Sequence, residues 1–493
     1  MSTNQQTGHA GLKKTLTWRD GFALSLVIPN GLFVTFGYLI GVVGAWTAIA
    51  IWVVATLIAV LQNAIFAELA AMFPGKSGGV ARYAIEGWRR YFIPLGAVAS
   101  FGYWMGWSLS LSVTAVALGH LLQGQWMPES TGTVAVLGNE LGLPHVIAIG
   151  AILVAWTLNR RGVKLGATIN KVVGTFVLIG LAIVAFGPYF SGSAQWSAAN
   201  LTWHVEGSWM TVVVIYYITS WTTYGTEICA SFAPEYKDTP RDTSKALMSS
   251  SAFMVALFTL VPMGVAGSIG EASISTNPVG YIGTAFEQLL GGASWIGVLV
   301  VACSLFIAMM SGTADGGRAL YGLAQEGMTL KQLDSLNRHG VPGRGLALDA
   351  FLNIGILLLL ANPVSILLAS NFGYLVAITL GVGAFLLLRK DRPHWPRPIK
   401  RSRIWIPVAS GTILLNLFVI AIGVSHPELA GYGDHTQTLT GVGILLLSVV
   451  LYVFRQVIQD KKPLRWREKT PALPEEEVNT SELDSDSAPS ASI

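Results

Sequence analysis

Charged residues are scarce in this sequence. Only 12% of its 493 residues are Asp, Glu, Lys or Arg, whereas 52% are hydrophobic, and the mean hydropathy is +0.55. Soluble domains carry about 25% charged residues, so this chain lacks the polar surface that a water-soluble fold needs. Long apolar runs recur throughout, which indicates a polytopic membrane protein.

Cysteine is nearly absent as well, and both cysteines, Cys229 and Cys303, fall within apolar runs. This excludes a disulfide scaffold and a cysteine-rich metal site. The sequence also lacks paired histidine ligands, a glycine-rich phosphate loop and a nucleophile elbow, so neither an enzyme nor an ATP-driven pump is indicated. We predict no catalytic residue and no cofactor, and the net charge of +4 gives no reason to expect a nucleic-acid partner.

The apolar runs predict twelve membrane spans. They lie near residues 21–47, 49–72, 91–122, 144–159, 165–189, 209–233, 246–269, 296–322, 346–361, 363–388, 404–425 and 438–458. The 31 Lys and Arg residues fall in alternate connections or at the adjoining helix ends, and the loops on the other face, such as 123–143, 190–208 and 270–295, contain none. The positive-inside rule then places both termini in the cytoplasm of a multi-pass cell-membrane protein.

The spans divide the chain into five parts. We assign 1–20 to a cytoplasmic N-terminal segment, 21–189 to a first five-helix repeat, 209–388 to a second, inverted repeat, 404–458 to two further spans and 459–493 to a tail. The tail is acidic, rich in Ser and Pro and poor in apolar residues, so we predict that it is disordered. A regulatory or docking role is the alternative to a plain solvated tail.

Two spans contain helix-breaking residues at matching positions. Span one holds Pro29, Asn30 and Gly31 in its middle, and all three are poor residues for a helix interior. Span six holds the polar stretch WTTYGTE, which ends at Glu227. The two spans cross in opposite senses, and such a pair in inverted repeats predicts a secondary-transporter binding site. A simple kink in each helix is the alternative.

Broken helices expose backbone groups that can bind a ligand. A half-helix that begins after Gly31 would present free N–H groups and the positive end of a helix dipole, which suit a carboxylate. Unwound carbonyls suit an ammonium group or a small cation. Together the two breaks therefore predict a cradle for a zwitterion near the middle of the membrane.

Four motifs resemble those of the amino acid–polyamine–organocation (APC) transporter superfamily, over nearly the whole chain. They are IPNGLF in span one, AELAAMFPGKSGGVARYA after span two, WTTYGTEICASFAPEYKDTPRD at span six, and GGRALYGLAQEGM with LNRHGVP at the exit of span eight. The second and fourth motifs are long and specific. The resemblance implies an all-α polytopic membrane protein of twelve transmembrane helices, with a leucine-transporter-type 5+5 inverted repeat plus two extra helices, working by alternating access.

The resemblance also implies roles for individual residues. The predicted substrate-binding residues on spans one, three and six are Asn30, Gly31, Leu32, Gly106, Trp221, Thr223, Tyr224 and Gly225. Backbone groups of span one would hold the substrate carboxylate, and carbonyls of span six would hold its amino group. Trp221 aligns with an aromatic residue that covers the bound substrate in some members.

The coupling ion is predicted only as H⁺ or Na⁺. Glu227 aligns with a family glutamate that is discussed as pH-responsive, and its alternative role is a structural hydrogen-bond acceptor. Some proton-coupled members carry a lysine deep in span five, at a position near Val177 here, whereas Lys171 lies about two turns closer to the cytoplasm. Ser311 and Thr313 of span eight could instead offer hydroxyl oxygens to sodium, although helix packing by small residues explains them as well.

Three further charged residues are assigned to gating or structural roles. Asp315 and Arg318 are three residues apart on span eight, a spacing at which side chains can pair on one helix face. Glu68 lies before the FPGKSGG loop, where it would brace the loop or a gate.

The predicted substrate follows from what spans three and ten lack. Neither carries Asp or Glu, so a polyamine would find few anionic partners there. We therefore predict a small-molecule amino acid substrate, a neutral or apolar zwitterion. The alternatives are a polyamine or other organic-amine carrier or exchanger on the same fold, and a transporter-like receptor. The sequence gives no prediction of an oligomeric state.

Overall fold

The computed structural model describes residues 14, 16–76, 78–192, 195–360, 363–431 and 435–469. Within these ranges the regular structure is helical apart from two isolated bridges and one antiparallel hairpin, Thr133–Val136 with Asn139–Gly142, after span three. Thr133 lies opposite Gly142 in the hairpin. The predicted N-terminal segment 1–20 falls mostly outside the described residues.

The long helices coincide with the predicted spans. The unbroken ones are Ala45–Met72, Ile93–Trp126, Leu143–Asn159, Val163–Phe190, Thr239–Ile269, Ser294–Gln325, Gly343–Leu360, Pro363–Asp391, Trp405–Ser425 and His435–Phe454, which are spans two to five and seven to twelve. In the described part of the chain, ten helices, counting span one as a single helix, are long and apolar enough to cross a membrane. Span four, with 17 residues, and the divided span six complete the twelve.

One boundary differs from the prediction for a clear reason. Span seven begins at Thr239, several residues before the predicted 246. The side chain of Asp238 caps this helix by accepting a hydrogen bond from the N–H of Arg241 at 3.3 Å. A capped polar turn extends a helix without adding hydropathy, so an apolar run does not predict it.

Shorter helices lie in the connections. They are Gly79–Trp88 after span two, Glu271–Thr276 and Tyr281–Leu290 after span seven, the 3₁₀ turns Ala198–Asn200, Ala233–Glu235, Lys331–Leu333 and Pro427–Ala430, and a π-helical turn Arg455–Gln459. Glu271 accepts hydrogen bonds from the N–H groups of Ala45 and Thr202, both at 2.6 Å. It thereby joins three connections on the face opposite Gly79–Trp88.

Spans one and six are divided by 3₁₀ turns. Span one consists of Trp18–Leu24, the turn Ser25–Val27 and the helix Pro29–Leu39. Proline fits the first position of that helix because its missing N–H would be unpaired there anyway. Asn30 and Gly31 therefore lie in the first turn of the second half-helix, whereas the sequence placed the start of that half-helix after Gly31.

Span six shows the same arrangement. Its segments are Trp209–Thr223, the 3₁₀ turn Gly225–Glu227 and the short helix Ile228–Ser231. The backbone stays in the right-handed helical region at the junctions, with φ −57° and ψ −40° at Ile28 and φ −86° and ψ −5° at Tyr224. Each interruption is thus a change of hydrogen-bonding pattern rather than an extended loop, and the two 3₁₀ turns lie against each other.

Equivalent spans of the two halves pack together. Span two packs along span seven, span three along span eight, and span four against span nine, while the two divided spans meet at the centre. Such pairing is what the predicted inverted repeats would produce. Spans eleven and twelve pack against span ten and expose large apolar side chains such as Leu414 and Leu439, on the surface that lipid would cover.

Ion pairs join the connections on one side of the helices. Asp20 is 2.5 Å from Lys171, Arg90 is 3.1 Å from Asp391, and Arg89 bonds to Glu326 at 3.2 Å. We call this side the basic face, and it comprises residues 14, 16–20, 73–76, 78–92, 160–162, 232–238, 326–342, 392–404 and 460–469. The connections that are rich in Lys and Arg therefore share one face.

The start of the tail differs from the disorder predicted for 459–493. Residues 459–469 pack against the basic face, where the Trp466 ring stacks on Phe92 with centroids 5.6 Å apart. Its carbonyl accepts the N–H of Ile93 at 2.9 Å, and Glu468 pairs with Arg89 at 3.3 Å. The composition of the whole tail hides this aromatic anchor, and residues 470–493 lie outside the described residues.

Candidate functional site

A small central cavity lies where the two 3₁₀ turns meet spans three and ten. Its lining residues are Val27, Ile28, Asn30, Gly106, Trp107, Ser110, Trp221, Thr222, Gly225 and Tyr374. The cavity measures about 30 Å³, room for about two water molecules. An amino acid can enter only if some of these side chains move.

The span-one residues differ in what they offer the cavity. Asn30 lines it, in the first helical turn. Gly31 donates its N–H to the Ile28 carbonyl at 3.1 Å, and its own carbonyl accepts the Thr35 hydroxyl at 2.6 Å. The carbonyl of Leu32 accepts the Tyr281 hydroxyl at 3.3 Å. Of the three predicted residues, only Asn30 lines the cavity.

The span-six residues divide in the same way. Trp221 and Gly225 line the cavity, and the Trp221 indole N–H donates to the Ser370 hydroxyl of span ten at 3.1 Å. Thr223 is fully buried within its helix. The Tyr224 hydroxyl lies 3.3 Å from the amide oxygen of Asn416 on span eleven, so this side chain braces span eleven instead of facing the cavity.

Span three and span ten close the remaining sides. Gly106 packs against Tyr374 so tightly that an added Cβ would lie 2.5 Å from the ring. The Tyr374 hydroxyl donates to the Glu227 carboxyl, which also accepts the Trp107 indole N–H at 3.2 Å. Glu227 is fully buried, and it meets the cavity only through these two aromatic residues.

The predicted sodium ligands do not converge. The Ser311 hydroxyl lies 2.9 Å from the Asn170 amide nitrogen of span five, whereas the Thr313 hydroxyl donates to the Met309 carbonyl of its own helix at 2.8 Å. Asn170 lies about two turns from Val177, the position at which the family resemblance places the lysine of some proton-coupled members. No group of three or more His, Cys, Asp or Glu residues suited to a metal ion occurs among the described residues.

A larger cavity of about 350 Å³ reaches from the basic face toward the centre. We call it the vestibule, and its polar lining includes Lys76, Arg82, Tyr103, Ser231, Glu235, Asp315, Arg318 and Glu326. Tyr103 lines the vestibule and Tyr374 lines the central cavity, with ring centroids 6.1 Å apart. This tyrosine pair forms the barrier between the two cavities.

The predicted gate residues occupy different places. Asp315 and Arg318 both line the vestibule, but the Arg318 guanidinium is 3.9 Å from Glu235, and no ion pair joins it to Asp315 among the described residues. Glu68 lies at the basic face, where it pairs with Arg389 at 2.6 Å and accepts the Arg401 N–H at 2.7 Å. Glu68 therefore holds the connection after span ten.

Sequence reasoning missed Tyr374 and Asn170. Tyr374 follows the polar pair Ser370 and Asn371 in an otherwise apolar span, and Asn170 is a polar residue in the apolar run of span five. Polar groups inside a membrane span are costly and usually functional, so both carried a usable signal. Tyr103, which packs against Tyr374, carried no such signal in the sequence, because aromatic residues are common throughout span three.

Comparison with known proteins identifies the family of the chain. The family model described as amino acid permease matches residues 16–451. The D-serine/D-alanine/glycine transporter of Escherichia coli K12 is 22% identical over 438 residues, covering 83% of this chain and 89% of the relative.

Two other relatives bear different substrate names. The polyamine transporter PUT1 of Oryza sativa subsp. japonica is 26% identical over 459 residues, covering 89% of this chain and 76% of the relative. The branched-chain amino acid permease BcaP of Lactococcus lactis subsp. cremoris is 23% identical over 438 residues, with coverages of 82% and 89%.

Proposed function

Since the chain belongs to the amino acid permease family, we propose that it carries neutral or apolar amino acids across the cell membrane by alternating access. Both termini lie in the cytoplasm in this proposal, because the basic face then meets the cytosol as the positive-inside rule requires. The observation that carries the proposal is the central cavity, which lies where two interrupted helices meet in the middle of twelve spans.

The cavity suits the two charged groups of an amino acid. The half-helix Pro29–Leu39 directs its N-terminus, with the positive end of its dipole, toward the cavity beside Asn30, and this suits a carboxylate. The helix Trp209–Thr223 ends at the other side, where backbone carbonyls and the negative end of its dipole suit an ammonium group.

The side-chain pocket favours a neutral substrate. No Asp or Glu lines the central cavity among the described residues, and Trp107, Trp221 and Tyr374 separate it from more distant charges. A polyamine or a lysine side chain would leave its second ammonium group unpaired there, which is costly in a buried site. The polyamine transporter among the relatives keeps the organic-amine carrier as the second candidate.

Alternating access has two visible elements. The vestibule is open toward the basic face, and the tyrosine barrier of Tyr103 and Tyr374 is its inner end. On the opposite face Glu271 holds Ala45 and Thr202 together, which keeps that side closed. Transport requires the first barrier and the second closure to open in turn.

The coupling ion in this proposal is a proton. The Thr313 hydroxyl donates to the Met309 carbonyl of its own helix, whereas the Ser311 hydroxyl accepts a hydrogen bond from the Asn170 amide, so the two hydroxyls do not converge on one point. Glu227 instead supplies a buried carboxyl beside the cavity.

Uptake by the purified protein in proteoliposomes tests the proposal. We expect counterflow of glycine, alanine, serine or leucine, no counterflow of putrescine, and net uptake driven by a pH gradient without sodium. Uptake of putrescine without any neutral amino acid would establish the amine carrier instead. Stabilisation by an amino acid in a thermal-shift assay without any transport would indicate a receptor.

A further inference from the structure

Asp315 is a buried carboxyl that substrate binding does not use. It lies on span eight in the wall of the vestibule and is 2% exposed. Its Oδ2 atom has no hydrogen-bond partner among the described residues. A buried carboxylate with one oxygen unpaired is costly, so this group needs a cation or a proton in at least part of the transport cycle.

Several elements around Asp315 contribute a polar or charged group. Span three provides Tyr103, whose hydroxyl is 3.1 Å from that of Ser231, and the Ser231 hydroxyl interacts with the Asp315 carboxyl. Span nine provides Asp349, and span eight itself provides Arg318. Glu227 of span six is within electrostatic range, and Glu235 after span six and Arg82 after span two line the same vestibule. About a turn away on span eight, Asn170 contacts Ser311 and Asn159 contacts Met310.

The nearby cation is shared. Arg318 is 3.9 Å from Glu235, lies over the Phe232 ring at 5.2 Å and is within electrostatic range of Asp315. Its guanidinium also donates to the Ala314 carbonyl at 3.2 Å. Because the contact with Glu235 is long, the guanidinium can move toward Asp315 when that carboxyl is ionised. When Asp315 is neutral, Glu235 retains the guanidinium.

A metal ion explains the site less well than a proton. Sodium and other hard cations need several converging oxygens. Asp349 is within electrostatic range of Asp315, but it does not line the vestibule. Its Oδ1 accepts the Trp104 indole N–H at 3.0 Å, and its Oδ2 has no hydrogen-bond partner among the described residues. A carboxyl with a hydroxyl and a phenol nearby can release and take up a proton.

Asp315 has a counterpart across the tyrosine barrier. Glu227 accepts hydrogen bonds from Trp107 and Tyr374 through Oε1, while its Oε2 has no hydrogen-bond partner among the described residues. Two incompletely bonded buried carboxyls therefore lie on opposite sides of the tyrosine pair, one toward the central cavity and one toward the vestibule.

We propose that Asp315 is the vestibule-side proton-binding group of the transport cycle, exchanging protons with Glu227 across the tyrosine barrier and with vestibule water. A neutral Glu227 gives its proton to the Asp315 carboxylate, which leaves Glu227 as a carboxylate and Asp315 neutral. Asp315 then gives the proton to a vestibule water, which becomes hydronium, and Asp315 returns to the carboxylate form. The same steps in reverse load Glu227 from the vestibule. This inference rests on the proposed amino acid transport and adds the route of its coupled proton.

The test compares Asp315→Asn with the matched control Asp349→Asn in proteoliposomes. Asn keeps the shape of the carboxyl and removes its protonation, and Asp349 is equally buried but lies outside the vestibule. Two readouts are needed: pH-driven net uptake with a proton-sensitive dye inside the vesicles, and substrate exchange, which moves no net proton.

For Asp315→Asn we expect pH-driven uptake and dye response to fall by about a hundredfold, while exchange continues. Asp349→Asn should retain both pH-driven uptake and exchange. Asp315→Glu keeps a carboxyl and should move protons with a shifted pH profile, so it tests the proposal even if the Asn variant does not fold. Unchanged proton movement in Asp315→Asn overturns the proposal. Amino acid transport by the wild type without proton movement also overturns the proton route but supports the proposed amino acid transport. Absence of any transport by the wild type contradicts both proposals.

Discussion

Gly31 is a point of close contact between spans one and six. A Cβ atom there would lie 2.6 Å from the Cβ of Thr222, so only a hydrogen atom fits. Its backbone groups already bond to Ile28 and Thr35. The glycine therefore acts through close packing as well as through helix geometry, and the neighbouring Asn30 is the residue that faces the cavity.

Replacing Gly31 with alanine should separate the two interrupted helices. We expect Gly31→Ala to lower the free energy of unfolding by about 1–3 kcal/mol, the usual cost of overpacking, and to abolish transport. Thermal unfolding of the detergent-purified protein and proteoliposome uptake measure the two effects. Gly411→Ala is the control, because nothing lies within 4 Å of a Cβ atom at that exposed helix position. Wild-type stability and uptake in Gly31→Ala would contradict the close packing.

The helix Gly79–Trp88 is the element that organises the basic face. Glu86 on this helix is paired with Lys76 at 2.9 Å, Arg82 at 3.0 Å and Arg392 at 2.9 Å. Burial alone would raise the pKa of Glu86, but the charges of Arg89, Arg82 and Lys76 outweigh it and lower the pKa to about 2. The ionised form of this carboxyl thus holds the connections after spans two and ten together.

Glu86→Gln should destabilise the protein in a pH-dependent way. A pKa lowered from 4.5 to about 2 corresponds to about 3 kcal/mol of stability. Because the folded-state pKa is the lower one, this contribution is complete above pH 4.5 and disappears as the pH falls through about 2. Thermal unfolding should therefore show a constant deficit from pH 5 to 8 that shrinks in acid. The exposed Glu129→Gln is the control, and a deficit that grows in acid would contradict the ion-pair account.

At the scale of elements, the sequence predicted where spans one and six are interrupted but not the form of the interruption. Pro29 marks the interruption of span one and Gly225 that of span six, since both residue types disfavour a helix interior. Whether such a stretch unwinds or tightens into a 3₁₀ turn depends on what packs against it. Here the two turns contact each other, and Trp107 lies close to Gly225.

The whole molecule has one basic face and one face without Lys or Arg. Charge segregation in the sequence predicts this, and the ion pairs between distant connections, such as Arg89 with Glu326, place those connections together. The compartment that each face meets follows from the positive-inside rule.

Single-cysteine labelling checks the orientation. In a Cys229→Ala, Cys303→Ala background, Glu129→Cys lies in the exposed connection after span three and Lys400→Cys in the exposed connection after span ten. An impermeant maleimide added to intact cells should label residue 129 and leave residue 400 unlabelled until the cells are permeabilised. The reverse pattern would invert the topology and place the vestibule on the outside.

Local sequence patterns were sufficient to predict the membrane class, the twelve spans, which connections share a face and the two interrupted helices. These properties depend on local hydropathy, charge and helix propensity, which a stretch of neighbouring residues carries. The tertiary structure decided which side chains meet: Tyr374 with Glu227, Asn170 with Ser311, and Tyr103 with Ser231 beside Asp315. Such contacts join residues far apart in the chain, and they depend on how whole helices pack, which no local pattern records.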